Sequence, residues 1–466
     1  MFTRAQRTKN LSKGQLVILI LVFGSIFLLM LASFLGLFIT QKRSSGTAVE
    51  RERALHIAEA GLEYYRWYLA HNPGDITNGT TTPQPYIHRY TDPQTGQIGQ
   101  FELTVEGANA SCGQVGAIDI TSVGYTDEDP DTKRTVRGRY ARPLVSEYSY
   151  VLNAPYTLIG ADHEITGPYH SNGDIEMDGT NHSIMTSALE DGIYGDGPND
   201  DLWQFPVPPV DFVGISVDLS AMKTAAQSSG LHFGPSNKKG YHVLFKSNGT
   251  IEVRKVKSTY SMNAYRVDNN NEQTEDNLIK ELESATTYTI PNNCAILFFE
   301  DRVWVEGVVN KKVTLVAARP AHSTDPSLIL PGNITYTTND GSAGLLAIAE
   351  DDVLIALNSP EDMTINGIFV AQKGYFGRNG YGTRDNGVPT GYSSYIKQDE
   401  LEINGTIISN GRSATKWVSG GGTLSSGYNH RESSYNRTLV ENPPPMTPAT
   451  SADYQFIEWR EEVEAP

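Results

Sequence analysis

The sequence predicts a mainly β protein with a long N-terminal α-helix. A small unit, in which the helix packs on an antiparallel sheet, is followed by a parallel β-helix or similar solenoid, with a β-sandwich as the structural alternative. Three observations lead there. Leu16–Thr40 is an apolar run without charge or proline. Apolar residues then recur at Ala54, Ile57, Ala58, Gly61, Leu62, Tyr65 and Leu69, the spacing of one buried helical stripe. Beyond residue 146, short apolar segments alternate with Asn, Asp, Gly and Pro corners, and three of them echo one another.

The chain opens on a polar leader, residues 1–14, with basic residues Arg4, Arg7, Lys9 and Lys13 and no acid, ending in Lys13-Gly14-Gln15. The apolar run that follows, about 25 residues at ~1.5 Å rise, is long enough to cross a bilayer core as a helix. Ala32-x-x-x-Gly36 would allow close helix approach. Residues 15–40 are therefore expected to span a membrane and 41–72 to extend the helix amphipathically. The helix is expected to run on past Ser44-Ser45-Gly46, with or without a break there, and to stop at Asn72-Pro73-Gly74.

A secretory signal has a shorter apolar region, with its cleavage site after it. Here the glycine beside a basic residue precedes the run, which resembles a type IV prepilin leader. Residues Arg53, Ala54, Leu55, Ala58, Glu59, Ala60, Gly61 and Leu62 match the R-A-L-x-x-A-E-A-G/A-L stretch of PilX-like minor pilins. The resemblance covers roughly the first 70 residues. It implies a pilin-like α+β head, leader cleavage after Gly14 and N-methylation of Gln15. It implies other pilins as partners through the helix, a prepilin peptidase, and an N-terminus that starts in the cytoplasm. Basic residues on both sides of the apolar run leave orientation undecided by charge. In one respect the chain departs from major pilins: the fifth position from Gln15 is Leu19, where they carry a glutamate. A carboxylate in hydrocarbon is costly unless partnered, and its absence points away from a shaft subunit and toward a minor pilin at a tip or rare position.

Residues 73–145 are expected to complete the head as a small antiparallel sheet. Phe101, Leu103 and Val105, then Ile118 and Ile120, then Val136, Gly138 and Tyr140 alternate with polar residues. The acidic turn at 127–131 offers Asp127, Asp129 and Asp131 as calcium candidates, but it lacks the spacing of a calcium loop; a solvated hairpin turn and no cofactor are the expectation. Cys112 and Cys294 form neither a redox pair nor a zinc framework. A disulfide between them is permitted outside the cytosol, though it would have to join two separately predicted domains; two buried thiols are the simpler expectation.

The larger unit is placed at 146–435. EITGPYHSNGD from Glu164, TINGIFVAQKG from Thr364 and EINGTIISNGR from Glu402 put Ile165, Ile365 and Ile403 in one column. Gly167, Gly367 and Gly405 form a second column, and Ser171-Asn172-Gly173 matches Ser409-Asn410-Gly411. A hairpin is expected at Asn248-Gly249, a short helix at Thr274–Ser284, and exposed loops at Gly374–Gly391 and Ser419–Tyr435. Residues 436–466 read as a proline-rich tail whose last segment docks as a helix or strand.

The formal net charge of −17 argues against nucleic-acid binding. No catalytic constellation is found. Asp351 and Asp352 are adjacent, Asp196, Asp200 and Asp201 sit in a loop near Trp203, and His163, His170 and His182 lack metal-ligand spacing. Neither H-E-x-x-H nor G-x-S-x-G occurs. Tyr375, Tyr381, Tyr392 and Tyr395 are candidates for an exposed adhesive surface, with packing as the plainer role. The expected function is a minor pilin, a single-pass membrane protein with its bulk extracytoplasmic, extracellular once assembled. It would prime assembly or present an adhesive β-rich domain to a surface glycan or to a host or abiotic surface. A K-like pseudopilin of type II secretion and a membrane-tethered polysaccharide-active enzyme are the alternatives.

Overall fold

The computed structural model describes residues 13–72, 75–108, 112, 117–212, 219–382, 387–450 and 455–462. The chain is mainly β with one long N-terminal helix. It divides into two units: residues 1–106, 118–140 and 456–466 make the smaller, and 107–117 with 141–455 the larger.

In the smaller unit α1 (Lys13–His71) runs unbroken through Ser44-Ser45-Gly46. Of the two options, the continuous helix is the one formed, because one glycine costs a helix only about 1 kcal/mol, and strong helix formers stand on both sides. Ala54, Ile57, Ala58, Leu62, Tyr65 and Leu69 are buried, so the periodic stripe is the packed face. It lies on strands β1 (Tyr86–Asp92), β2 (Gly96–Ala108), β3 (Ala117–Thr126) and β4 (Arg134–Ala141), with Gln455–Glu462 as a fifth strand beside β4. Phe101, Leu103, Val105, Ile118, Ile120, Val136 and Tyr140 point inward as the alternation predicts. At Gly124 helix and sheet nearly touch: a Cβ there would sit 2.3 Å from the Ala54 carbonyl oxygen. The fifth strand is held by Phe456 against Tyr140, ring centroids 3.9 Å apart, and by Arg137 to Glu462 at 2.8 Å.

The larger unit is a parallel β-helix, not a sandwich. Its longest ladder joins Leu231–Phe233, Ile296–Phe299, Lys312–Ala317, Gly344–Ala349, Asp362–Ala371, Lys397–Ser409, Tyr150–Leu152, Tyr169–Ser171, Met185–Ser187 and Trp203–Gln204, each parallel to the next. One register column therefore stacks Leu297, Leu315, Ala347, Phe369, Ile407, Tyr150, Tyr169 and Met185, all in the inner core. The alternate residues Phe298, Val316, Ile348 and Val370 face outward beneath α2 (Leu219–Ser229). In Ile296–Phe299, Lys312–Ala317 and Gly344–Ala349 both faces are buried, which is why these strands read as nearly continuous apolar runs.

The stacking order departs from chain order. Strands between residues 150 and 204 lie on one side of Lys397–Ser409, and those between 231 and 371 on the other. The first coil of the chain thus abuts the last. The echo survives this rearrangement: Ile365 pairs with Ile403, Ile403 with Ser433 and Ser433 with Ile165. The matched asparagines form a ladder, with Asn172 donating to Asn153 at 3.0 Å and Asn153 to Asn410 at 2.7 Å. Gly405 has φ +147°, and a Cβ there would lie 2.0 Å from the Gly367 carbonyl oxygen, so the close stacking excludes any side chain.

Three local expectations are corrected. Thr274–Ser284 is not helical but belongs to the strand Glu272–Leu282, paired antiparallel with Thr250–Tyr265, the second strand of the expected Asn248-Gly249 hairpin. Cross-strand partners for Leu278 and Ile279 override the helical spacing. Within Ser419–Tyr435, Leu424–Ser434 is a strand of the stack. Within Gly374–Gly391, Tyr375, Phe376 and Tyr381 are core residues.

Candidate functional site

The first surface with functional character is the N-terminal part of α1. The helix is long and apolar enough to cross a membrane. Its apolar side chains are exposed from Val17 to Ile39, Phe34 by 70% and Leu19 by 48%. Apolar surface of this extent is suited to lipid or to other apolar helices around it. Ser25 and Thr40 donate their hydroxyls to the Val22 and Gly36 carbonyls, both at 2.9 Å, so neither presents an unsatisfied donor to that surrounding. Beyond Gly24 and Gly36 there is open space. Residues 1–12 of the leader lie outside the described residues. Gly14 and Gln15 fall in the first turn of the helix, their side chains also outside them.

Asp127, Asp129 and Asp131 do not converge. Asp127 accepts from Gln97 at 2.9 Å and Asp129 from Thr132 at 2.8 Å, while Thr126 donates across to Glu50 at 2.7 Å. Among the described residues no group of three or more His, Cys, Asp or Glu is placed to hold a metal ion. Cys112 and Cys294 are joined as a disulfide, Cα atoms 4.8 Å apart. The expected obstacle disappears because residues 107–117, between β2 and β3, belong to the larger unit, so both sulfurs lie in one unit.

The expected histidines are dispersed. His163 contacts Ser433 Oγ at 3.1 Å, and burial, aided by the Arg431 charge, pushes its pKa down to about 3, leaving it neutral. His170 lies between Thr186 and Asn172, each at 2.9 Å. His182 meets Glu164 at 2.7 Å. Asp351 accepts from Ser327 at 3.2 Å, while Asp352 accepts the Tyr375 amide at 2.9 Å and lies 3.8 Å from Arg266. These adjacent carboxylates face different partners. Tyr375 and Tyr381 are fully buried, which removes them from any adhesive surface. Tyr381 instead donates to the buried Glu275 at 2.6 Å, and burial holds the Glu275 pKa above the ordinary carboxylate range. Tyr392 and Tyr395 remain half-exposed.

A cleft of about 260 Å³ opens where the first coil meets the last, between residues 150–169 and 412–431. Asp162 is among its lining residues. Lys416 Nζ reaches Asp162 Oδ2 at 2.5 Å, and Arg431 Nη2 reaches Oδ1 at 2.9 Å. Burial pushes the Asp162 carboxyl up, but the two cations outweigh it and hold it below its usual range. Arg412 lies over the Tyr156 ring, 5.8 Å from its centroid. Sequence reasoning missed this group, because Asp162 and Arg431 are 269 residues apart. The echo alignment carries no signal for it: Asp162 falls opposite Glu400, and none of the cations is brought beside it.

No family model matches the chain, and no curated protein matches it. Among solved structures it is similar to the competence-associated pilin ComZ from Thermus thermophilus, at 14% identity and a TM-score of 0.32, over 89% of this chain and 98% of that one.

Proposed function

We propose that this chain is a PilX-like minor pilin of a type IV pilus-like filament. It is anchored in the cell membrane by α1 before assembly, its N-terminus cytoplasmic and its bulk outside, and it becomes extracellular once assembled. The observation that carries the reading is the division of one unbroken helix: exposed and apolar from Val17 to Ile39, buried against a sheet from Ala54 to Leu69. A helix so divided is built to leave lipid and pack among other apolar helices without refolding its own body. The sequence around Gly14 and the stretch Arg53–Leu62 support cleavage by a prepilin peptidase and methylation of Gln15. With Leu19 where major pilins carry a carboxylate, the subunit has no charge-based register. That favours a tip or rare position, priming assembly or presenting the β-helix to a surface. The chain has no catalytic role in this reading. A β-rich larger unit, whose helices are as short as α2 and α3 (Arg437–Glu441), favours a pilin over a K-like pseudopilin, whose insert would be mostly helical.

The test is Gly14→Val expressed with its native assembly machinery. The expected result is a precursor band heavier than the processed wild type and absent from filaments. Equal mobility and equal filament incorporation for the two would refute the reading.

A further inference from the structure

We infer that the cleft between the first and last coils binds a carboxylate-bearing sugar ring, a uronate unit. Three cations, Arg412, Lys416 and Arg431, line it against one carboxylate, Asp162, an excess of positive charge on a protein whose net charge is −17. Lys416 and Arg431 share that single carboxylate, and Arg412 has no carboxylate partner among the described residues. The Tyr156 ring holds Arg412 in place, as a planar guanidinium stacks on an aromatic face. Arg431 Nε is buried without an acceptor, a position that ordinarily costs stability and that a ligand oxygen would relieve.

The walls argue for a sugar over a bare anion. Leu158 and Val418 line the cleft and stay exposed, 45% and 56%, giving apolar surface for a ring face. Ser413, half-exposed in the same lining, offers a side-chain hydroxyl, the chemistry that meets ring hydroxyls. With His163 neutral, the positive charge of the lining is that of Arg412, Lys416 and Arg431. The volume, about 260 Å³, falls just below the ~300–1,000 Å³ of drug-sized sites and is enough for one sugar ring. The cleft lies where residues 150–169 face residues 412–431.

This inference does not rest on the filament reading, because the full-length chain is assayed unassembled in detergent micelles; either can fail alone. Glucuronate, galacturonate, glucose and inorganic phosphate are titrated by calorimetry. The expected result is saturable uronate binding, weakened about tenfold by Arg412→Gln through loss of one charge-assisted hydrogen bond, with the melting temperature unchanged. Arg254→Gln, on the strand Thr250–Tyr265 away from the cleft, should leave binding intact. Glucose should bind markedly more weakly than either uronate. The inference is overturned by absence of saturable uronate binding, by phosphate binding as tightly as uronate, or by indifference to Arg412→Gln.

Discussion

Replacing Cys112 and Cys294 together by serine should destabilise the larger unit strongly, because of the length of chain the bridge closes. The sequence separation is 182 residues. On the chain-entropy account a closed loop of that length restricts the unfolded state by about 5 kcal/mol, the upper end of the ~2–5 kcal/mol lost when native disulfides are removed. The native geometry offers little relief, since Cys294 is 2% exposed beside Ile296 and Phe298 in the outer core. Urea unfolding followed by tryptophan emission is the assay: Trp304 is fully buried in the β-helix, its indole donating to the Asn277 carbonyl at 2.6 Å. The double variant should lose at least about 2 kcal/mol, and thiol titration of the denatured, unreduced wild type should find no free thiol. A loss below about 1 kcal/mol, or two free thiols before reduction, would refute the reasoning.

Phe369→Ala empties a place in the stacked column between Ala347 and Ile407 and should cost about 3–5 kcal/mol. Phe205→Ala, at a residue 37% exposed, should stay within about 0.5 kcal/mol of wild type in the same urea experiment. Burial first, and then the Asp351 charge, raise Asp352 from 3.8 to about 7. The folded state therefore holds this proton more tightly than the unfolded chain does. The resulting stability is fully present below pH 3.8 and is lost as pH rises toward 7. Asp352→Asn should flatten that fall in a pH series of urea midpoints; an unchanged slope would contradict the assignment.

The periodic parts of the fold were legible in the sequence. The helical stripe from Ala54 to Leu69 and the alternation at Phe101, Leu103 and Val105 depend only on which side of one element is buried. The echo was legible too: Ile365 and Ile403 were aligned by residue identity and are stacked in space. The failures occurred where distant chain decided the outcome. Leu278 and Ile279 have helical spacing, but their partners are Tyr260 and Thr259 on a neighbouring strand. Tyr375 and Tyr381 stand in a glycine-rich stretch that looks solvent-facing, yet their hydroxyls reach Asn379 and Glu275 inside the core. The disulfide was obscured because local patterning assigned Cys112 to the sheet unit, whereas its loop belongs to the other. The cleft was hidden most deeply, since it exists only because the first coil stacks on the last, an arrangement no single segment encodes.

In the proposed function α1 serves first as a membrane anchor and then as packing between subunits, once the leader has been removed. Intact-mass measurement of the protein extracted from membranes tests it most directly. A species lacking Met1–Gly14 and carrying one added methyl group on Gln15 is the predicted result; the full-length chain with Met1 still in place would contradict it.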